Sequence, residues 1–336
     1  MKNKITLKEL AKLLNVSIST VSKALNDSSE ISPKTVERVK ELAALHKYRP
    51  NPVAVNLKSS KSGTIGVVIP NISNTYFAQV LLGIEAKAQK EGLQVITYIS
   101  NESFEREKQI ADMLTSGFVD GVLIAISEAT HRARNYDHIF NILEYEIPVV
   151  LYDRTNIDIP VDKIGIDDEK SFEDATRLLI SKGIKRIGLA SAIHHLGVGK
   201  LRIKGYQKAL SEGMEQLVTA SSRHQVLVDG IKDLLVNKKV EAMLCTDFVS
   251  AMLVYRMAYE NKVEIPKDLK MIGFLNKDVA QHLTPSISYI EQFPEEIGKN
   301  AMEMLIKRMN GKLMPEKNTH KIINTELIHL ESTRFN

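Results

Sequence analysis

At 336 residues, 43% hydrophobic and 26% charged, the chain has the make-up of an ordinary globular protein, with length for about two domains at roughly 150 residues each. No stretch nears the roughly 18 uninterrupted apolar residues of a membrane span, and the polar start "MKNKITLKEL" lacks the apolar core of a signal peptide, so the cytoplasm is the expected location. The single cysteine, Cys245, excludes an intramolecular disulfide and a cysteine metal cluster, and the net charge of +4 is unevenly divided. Residues 1–62 hold twelve Lys/Arg against five Asp/Glu, whereas the rest hold 33 against 36. A basic module on a mildly acidic body suits nucleic-acid binding, but a merely solvated surface fits the charge as well; residue order has to decide.

The order is informative at once. Thr6-Leu7-Lys8-Glu9 has the form of a capping box, and Leu7, Leu10, Ala11 and Leu14 follow at helical spacing. Asn15 can end that helix in the left-handed conformation, Val16 is an apolar plug, and Ser17 can cap a second helix running to about Leu25, which makes a helix-turn-helix. Ser32, then Pro33 at the first helical position, and the Ile31/Val36 staple predict a third helix, with Val36, Val39, Leu42 and Leu45 as its buried stripe. In the second helix Val21 and Leu25 point inward and leave Ile18, Ser19, Ser22 and Lys23 outward. Small hydroxyls let a helix lie close to a duplex, a lysine can donate to guanine, and an isoleucine can meet a thymine methyl.

In "RPNPVAVNLKSSKSG", residues 49–63, Pro52 can begin a short helix carrying Ala54 and Leu57, followed by a flexible linker. From residue 64 onward β-rich runs alternate with helical stretches. The first series is "TIGVVIP", "LQVITYIS", "GVLIAIS" and "PVVLYDR". The second is "IGIDD", "RIGLASA", "HQVLVDG", "EAMLCTD", "KMIGFLN" and "ISYIEQ". Two such series predict an α/β fold with two doubly wound parallel-sheet lobes. Ligands of open parallel sheets sit beyond the carboxyl ends of strands, which selects Asn71, Ser127, Asp153, Ala192, Asp247 and Gln292.

The segments "TLKELAKLLNVSISTVSKALN" and "ISPKTVERVKELAALHKYRPNPVAVNLKSSKSGTIGVVIPNISNTYFAQVLLGIE", with "RIKGYQKAL", "LCTD" and "TPSISYIEQ" later in order, resemble the LacI family of bacterial transcription regulators over nearly the whole chain. The resemblance implies a helix-turn-helix headpiece over 1–50, a hinge helix and linker over 51–63, and a periplasmic-binding-protein-like sensor over 64–336. Lobe 1 is expected at about 64–155 and 291–324, and lobe 2 at about 156–290 and 325–336. The candidate DNA-contacting residues are Thr6, Ser17, Ile18, Ser19, Thr20, Ser22, Lys23, Asn26 and Tyr48, then Asn51, Ala54, Asn56, Leu57 and Lys58 in the hinge. The residue matching Leu57 is wedged into the minor groove in relatives, where an apolar side chain kinks the duplex.

For the sensor the resemblance matches Arg202 to a ligand-gripping arginine, Asp153 and Gln292 to positions that meet ligand hydroxyls, and Phe77 to a place by the cleft. The candidate effector set is therefore Asn71, Phe77, Ser127, Asp153, Arg202, Asp247, Asn276 and Gln292. A guanidinium flanked by Asp, Asn and Gln suits a sugar or other polyol. The chain departs from the family pattern at Leu275, where a cleft carboxylate is usual, and in a short stretch from Tyr206 to Asp247.

Catalysis finds no motif: GxSxG, GxxxxGK[ST] and HExxH are absent, and "GVGKLR" has Leu201 where a phosphate loop needs Ser or Thr. The adjacent His194-His195 pair lacks a third metal ligand nearby. The expectation is a homodimeric, sequence-specific repressor of carbohydrate-related genes, controlled by a small polar ligand, with no enzymatic activity, cofactor, metal or membrane partner. A regulator using a protein co-regulator or no small effector is the alternative; a solute-binding protein would need a signal peptide and no basic headpiece, and a sugar-modifying enzyme a nucleophile or paired carboxylates.

Overall fold

The computed structural model describes residues 5–48, 62–312 and 317–334, and it divides into two compact units, Met1–Ser62 and Gly63–Asn336. In the first unit three helices, α1 (Leu7–Leu14), α2 (Ile18–Leu25) and α3 (Pro33–Leu45), close on one small core. Each begins as its capping residues dictate. The Thr6 hydroxyl accepts the Glu9 amide while the Glu9 carboxylate accepts the Thr6 amide, and Ser17 and Ser32 cap α2 and α3. Asn15 ends α1 at φ 55°. Leu10, Ala11, Val21, Ala24, Val39 and Ala43 fill the core.

Leu45 does not belong to that stripe, contrary to expectation. It is 76% exposed. Six residues beyond Val39 a helix has turned well past the inward face, and Ala43 takes the inner position instead.

The second unit holds two six-stranded sheets. The first contains β1 (Thr64–Ile69), β2 (Gln94–Ile99), β3 (Gly121–Ile124), β4 (Val149–Tyr152), β5 (Asp162–Ile166) and β11 (His320–Ile323), in the order β11-β5-β4-β3-β1-β2. The second contains β6 (Ile187–Ser191), β7 (Leu217–Ala220), β8 (Ala242–Cys245), β9 (Lys270–Gly273), β10 (Ser288–Glu291) and β12 (Glu326–Ile328), in the order β12-β10-β9-β8-β6-β7. Among the described residues only the β10/β12 pair is antiparallel. Each sheet has a buried apolar cluster on both faces, as a parallel sheet clad in helices requires.

On the first sheet lie α4 (Thr75–Lys90), α5 (Phe104–Leu114), α6 (Glu128–Ala133), α7 (Asp137–Glu144) and α13 (Pro294–Met309). On the second lie α8 (Asp168–Ser181), α9 (Gly197–Ala209), α10 (His224–Lys232), α11 (Phe248–Glu260) and α12 (Lys277–His282). No described helix is long and apolar enough to cross a membrane.

Two expectations need correction. The second lobe does not begin near residue 156, because β5 is a first-sheet strand, paired with β4 through Leu151↔Lys163 and with β11 through Lys321↔Ile164. Its first residue is anchored there too: buried Asp162 accepts two hydrogen bonds from Arg308 at 2.8 and 2.7 Å and a third from the Thr319 amide at 2.7 Å. The chain therefore crosses between lobes after β5, after β10, and between β11 and β12. Secondly, "HQVLVDG" is the helix α10 rather than a strand, for Leu227 and Ile231 form a buried i, i+4 pair continued by Leu234 and Leu235.

Candidate functional site

On the first unit, α2 buries Val21 and Ala24 and turns Ser17, Ile18 and Ser19 to solvent, with Ile18 46% exposed. Thr20, Ser22 and Lys23 are half-buried, and Asn26 is exposed. Several of these polar groups have local partners. The Thr6 hydroxyl donates to Glu9, Ser17 and Thr20 exchange a hydroxyl bond of 2.8 Å, Asn26 donates to the Ser22 carbonyl, and Lys23 pairs with Glu30. The Lys23 pair is exposed to solvent and worth little, so it yields easily to a better acceptor. Tyr48 packs against the three-helix core, where burial raises its phenol pKa. Asn51, Ala54, Asn56, Leu57 and Lys58 lie outside the described residues.

On the second unit, a cavity of about 150 Å³ opens between the lobes, lined by residues that follow β1, β4, β6, β8, β9 and β10. Of the expected effector residues Phe77, Asp153, Arg202, Asp247, Asn276 and Gln292 line it, and so does Leu275, which is buried and also packs on the second lobe's core. Asn71 and Ser127 do not. Asn71 stays at the surface, its side chain accepting the Ser73 amide at 2.8 Å, and the loop after β1 brings Asn74, Thr75 and Tyr76 to the cavity instead. Ser127 is fully buried as the cap of α6. Ala192 is absent from the lining, and its amide donates to Asp247 at 2.9 Å.

Arg202 is held rather than free to swing. Its Nε and Nη2 both lie 2.7 Å from Asp168 Oδ1, Nη1 donates to the Thr246 carbonyl at 2.6 Å, and the guanidinium stacks 3.8 Å over the Phe274 ring. The fork keeps further N–H groups for a ligand. Gly205 makes this possible. A Cβ there would sit 2.0 Å from the Glu169 carbonyl oxygen, so only glycine lets α9 lie against α8 closely enough to bring Arg202 to Asp168.

Arg154 is likewise satisfied, by two hydrogen bonds of 2.7 Å to Glu102 and one of 2.8 Å to the Ile126 carbonyl. Asp247 caps α11 and accepts from the Ala192 and Ser250 amides and from the Thr246 and Ser250 hydroxyls. Polar contacts across the cleft include Asn276, which donates to the Thr75 hydroxyl at 2.7 Å, and His195, which lies 3.0 Å from Glu128. The latter pair accounts for one member of the His194-His195 couple.

Asp153 differs from its neighbours. Held at φ 54°, its carboxylate makes no hydrogen bond among the described residues, and the Arg154 Nε lies 3.7 Å away. Burial pushes its pKa up from 3.8 to about 6, only partly opposed by Arg154. The same burial, with Asp153 and Asp168 nearby, holds the Tyr76 phenol well above its ordinary value.

The raised Asp153 value sets a pH dependence. Folded, Asp153 keeps a proton that the unfolded chain releases between pH 3.8 and about 6, so its share of stability falls as pH rises through that window and is fully lost above it. Asp153→Asn removes this cost and tolerates the left-handed backbone. The variant is expected to be more stable by about 1–3 kcal/mol at pH 7.5, with the gain vanishing below the window, as measured by chemical unfolding at several pH values.

Sequence comparison settles the family. Residues 6–51 match the model of bacterial regulatory proteins of the lacI family, and residues 176–333 match the periplasmic binding protein-like domain. The chain is 32% identical to the HTH-type transcriptional regulator RegA of Clostridium saccharobutylicum, over 98% of this chain and 99% of that one. The chain belongs to the LacI family. As a LacI-type regulator it is a DNA-binding transcription factor and not an enzyme. Among solved structures, the Lac repressor dimer bound to operator and an anti-inducer superposes with a TM-score of 0.85 at 20% identity, covering 98% of this chain and 99% of that one. A LacI-type regulator of Alkaliphilus metalliredigens complexed with D-xylulofuranose superposes with a TM-score of 0.70 at 26% identity, covering 81% and 100%.

Sequence reasoning missed Asp168, Arg154, Thr75, Phe248 and Glu291 as parts of this LacI-type cleft. The doublet Asp167-Asp168 reads locally as a helix start, and nothing local ties Asp168 to an arginine 34 positions later. Phe248 and Glu291 adjoin the selected Asp247 and Gln292, so widening the strand-end rule by one residue would have found both.

Proposed function

We propose that this LacI-type regulator is a cytoplasmic homodimeric repressor of carbohydrate-related genes whose operator affinity is set by a small polar ligand between the lobes. The observation that carries the DNA reading is the split of α2, with Val21 and Ala24 in the core and Ser17, Ile18 and Ser19 facing outward beside Lys23. One such helix reads a half-site, and a two-fold protein reads two. The ligand reading is supported by a cavity whose walls come from both lobes, with Arg202 fixed in it, and by the A. metalliredigens relative, which shares the fold and is complexed with D-xylulofuranose. A ligand that closes the cleft differently in two lobe arrangements biases the arrangement competent for DNA.

Selection of binding sites from random duplexes tests the DNA half of this reading. The expected consensus has two-fold symmetry. Lys23→Ala is expected to relax the preference for one base pair in each half-site, at about 1–3 kcal/mol per contact, with the other positions unchanged. An asymmetric single half-site would remove the homodimer, and an unchanged base preference would remove Lys23 from direct readout.

A further inference from the structure

The charges around the interlobe cavity narrow the ligand beyond a polar molecule, an inference that rests on the cleft being the control site. Its lining contributes the carboxylates Asp153, Asp247 and Glu291 and the guanidiniums Arg154 and Arg202. Both cations are already matched, Arg154 by Glu102 and Arg202 by Asp168. Five carboxylates thus surround two guanidiniums. Asp247 is saturated by its cap and Glu291 uses one oxygen on the Phe293 amide, which leaves Asp153 as the carboxylate with no hydrogen bond among the described residues.

A half-buried carboxylate without a donor is costly, and a ligand that supplies a cationic donor relieves that cost. An ammonium group offers three N–H donors and no acceptor. A phosphate ester would bring further negative charge to walls that already carry an acidic excess, and juxtaposed like charges are strongly disfavoured. Phe248, half-exposed at the cavity wall, adds an aromatic face that favours a cation. Leu275 lines the cavity from the second lobe with an apolar side chain, so that position supplies Asp153 with no donor.

We propose that the cleft takes a small polyhydroxylated amine, a monosaccharide carrying an ammonium group held against Asp153, and discriminates against phosphorylated sugars. The hydroxyls face the remaining N–H groups of Arg202 and the amides of Asn276 and Gln292.

The test uses the full chain with three probes: glucosamine, glucose and glucose 6-phosphate. The chain contains no tryptophan, so Phe248→Trp places a lone fluorescent reporter at the cavity wall, and calorimetry on the unsubstituted protein checks each affinity. Glucosamine is expected to bind at least tenfold more tightly than glucose, with glucose 6-phosphate weakest. Asp153→Asn is expected to lower glucosamine affinity at least tenfold and glucose affinity less than threefold. Phosphate binding equal to or tighter than amine binding, a glucosamine advantage that survives Asp153→Asn, or no binding of any probe overturns the proposal. If glucose or its phosphate binds and shifts the reporter's emission, the cleft reading stands and only the amine preference fails. If every probe is silent, or binds without moving the emission, the cleft reading fails with it.

Discussion

Asp168→Ala is expected to lower stability by about 3–5 kcal/mol, the cost of leaving the buried Arg202 guanidinium without its counter-charge. Arg202 is only 5% exposed, and Asp168 receives both its Nε and Nη2. Its remaining direct contacts would be the Thr246 carbonyl and the Phe274 ring, neither of which carries a full charge. Because the loss comes from an orphaned charge, removing both partners should be milder than removing one. Asp168→Ala combined with Arg202→Met is therefore expected to recover much of the stability, while losing the cavity's planar donor. Chemical unfolding of the two variants beside the parent checks this. A double variant as weak as Asp168→Ala alone would mean that shape at this site, and not charge, dominates.

Glu107→Ala is expected to cost a similar amount, about 3–5 kcal/mol, through a cluster that does not line the interlobe cavity. The fully buried Glu107 carboxylate accepts from the Ser127 amide at 2.5 Å, the Thr130 hydroxyl at 2.9 Å and His138 Nε2 at 2.8 Å. One side chain on α5 thereby fastens the start of α6 and the face of α7. Alanine would leave three buried donors without an acceptor, whereas Glu107→Gln keeps one carbonyl oxygen and should lose less. Thermal unfolding ranks the three proteins, and an alanine variant as stable as the parent would show that water replaces the carboxylate.

Local chemistry made much of this architecture legible. Caps at Thr6, Ser17 and Ser32 place helix starts through contacts within three residues, so the headpiece could be read from short windows. Strand and helix alternation announced two parallel sheets for the same reason. What escaped depends on partners distant in sequence. The assignment of β5 to the first sheet is made by Arg308 and β11, some 150 residues away, and the grip on Arg202 is made by a helix on a separate segment. The α10 stripe was hidden because "VLV" is continuous and its helical period shows only once Ile231, Leu234 and Leu235 are included. At the cleft, strand ends pointed to the right neighbourhood, but which residue of each loop reaches inward is decided by capping, as at Ser127, or by a turn, as at Asn71.

The three crossings between lobes also govern the order in which the molecule can mature on the ribosome. Residues 64–166 of the first sheet are synthesised early, yet the cluster of Ile65, Val80, Leu123 and Val150 is completed by Ile297, Ala301 and Leu305 of α13. At translation rates of about 5–20 residues per second, that face waits on the order of 10 s for its cover, while the second lobe is being made. Within α13, Gly298 lies so near α4 that a Cβ would meet the Val80 carbonyl oxygen at 2.0 Å, so the late helix must seat itself at backbone contact on a surface assembled before it. A nascent chain that stops before residue 294 leaves this face bare, and no single cut in the gene releases either lobe whole.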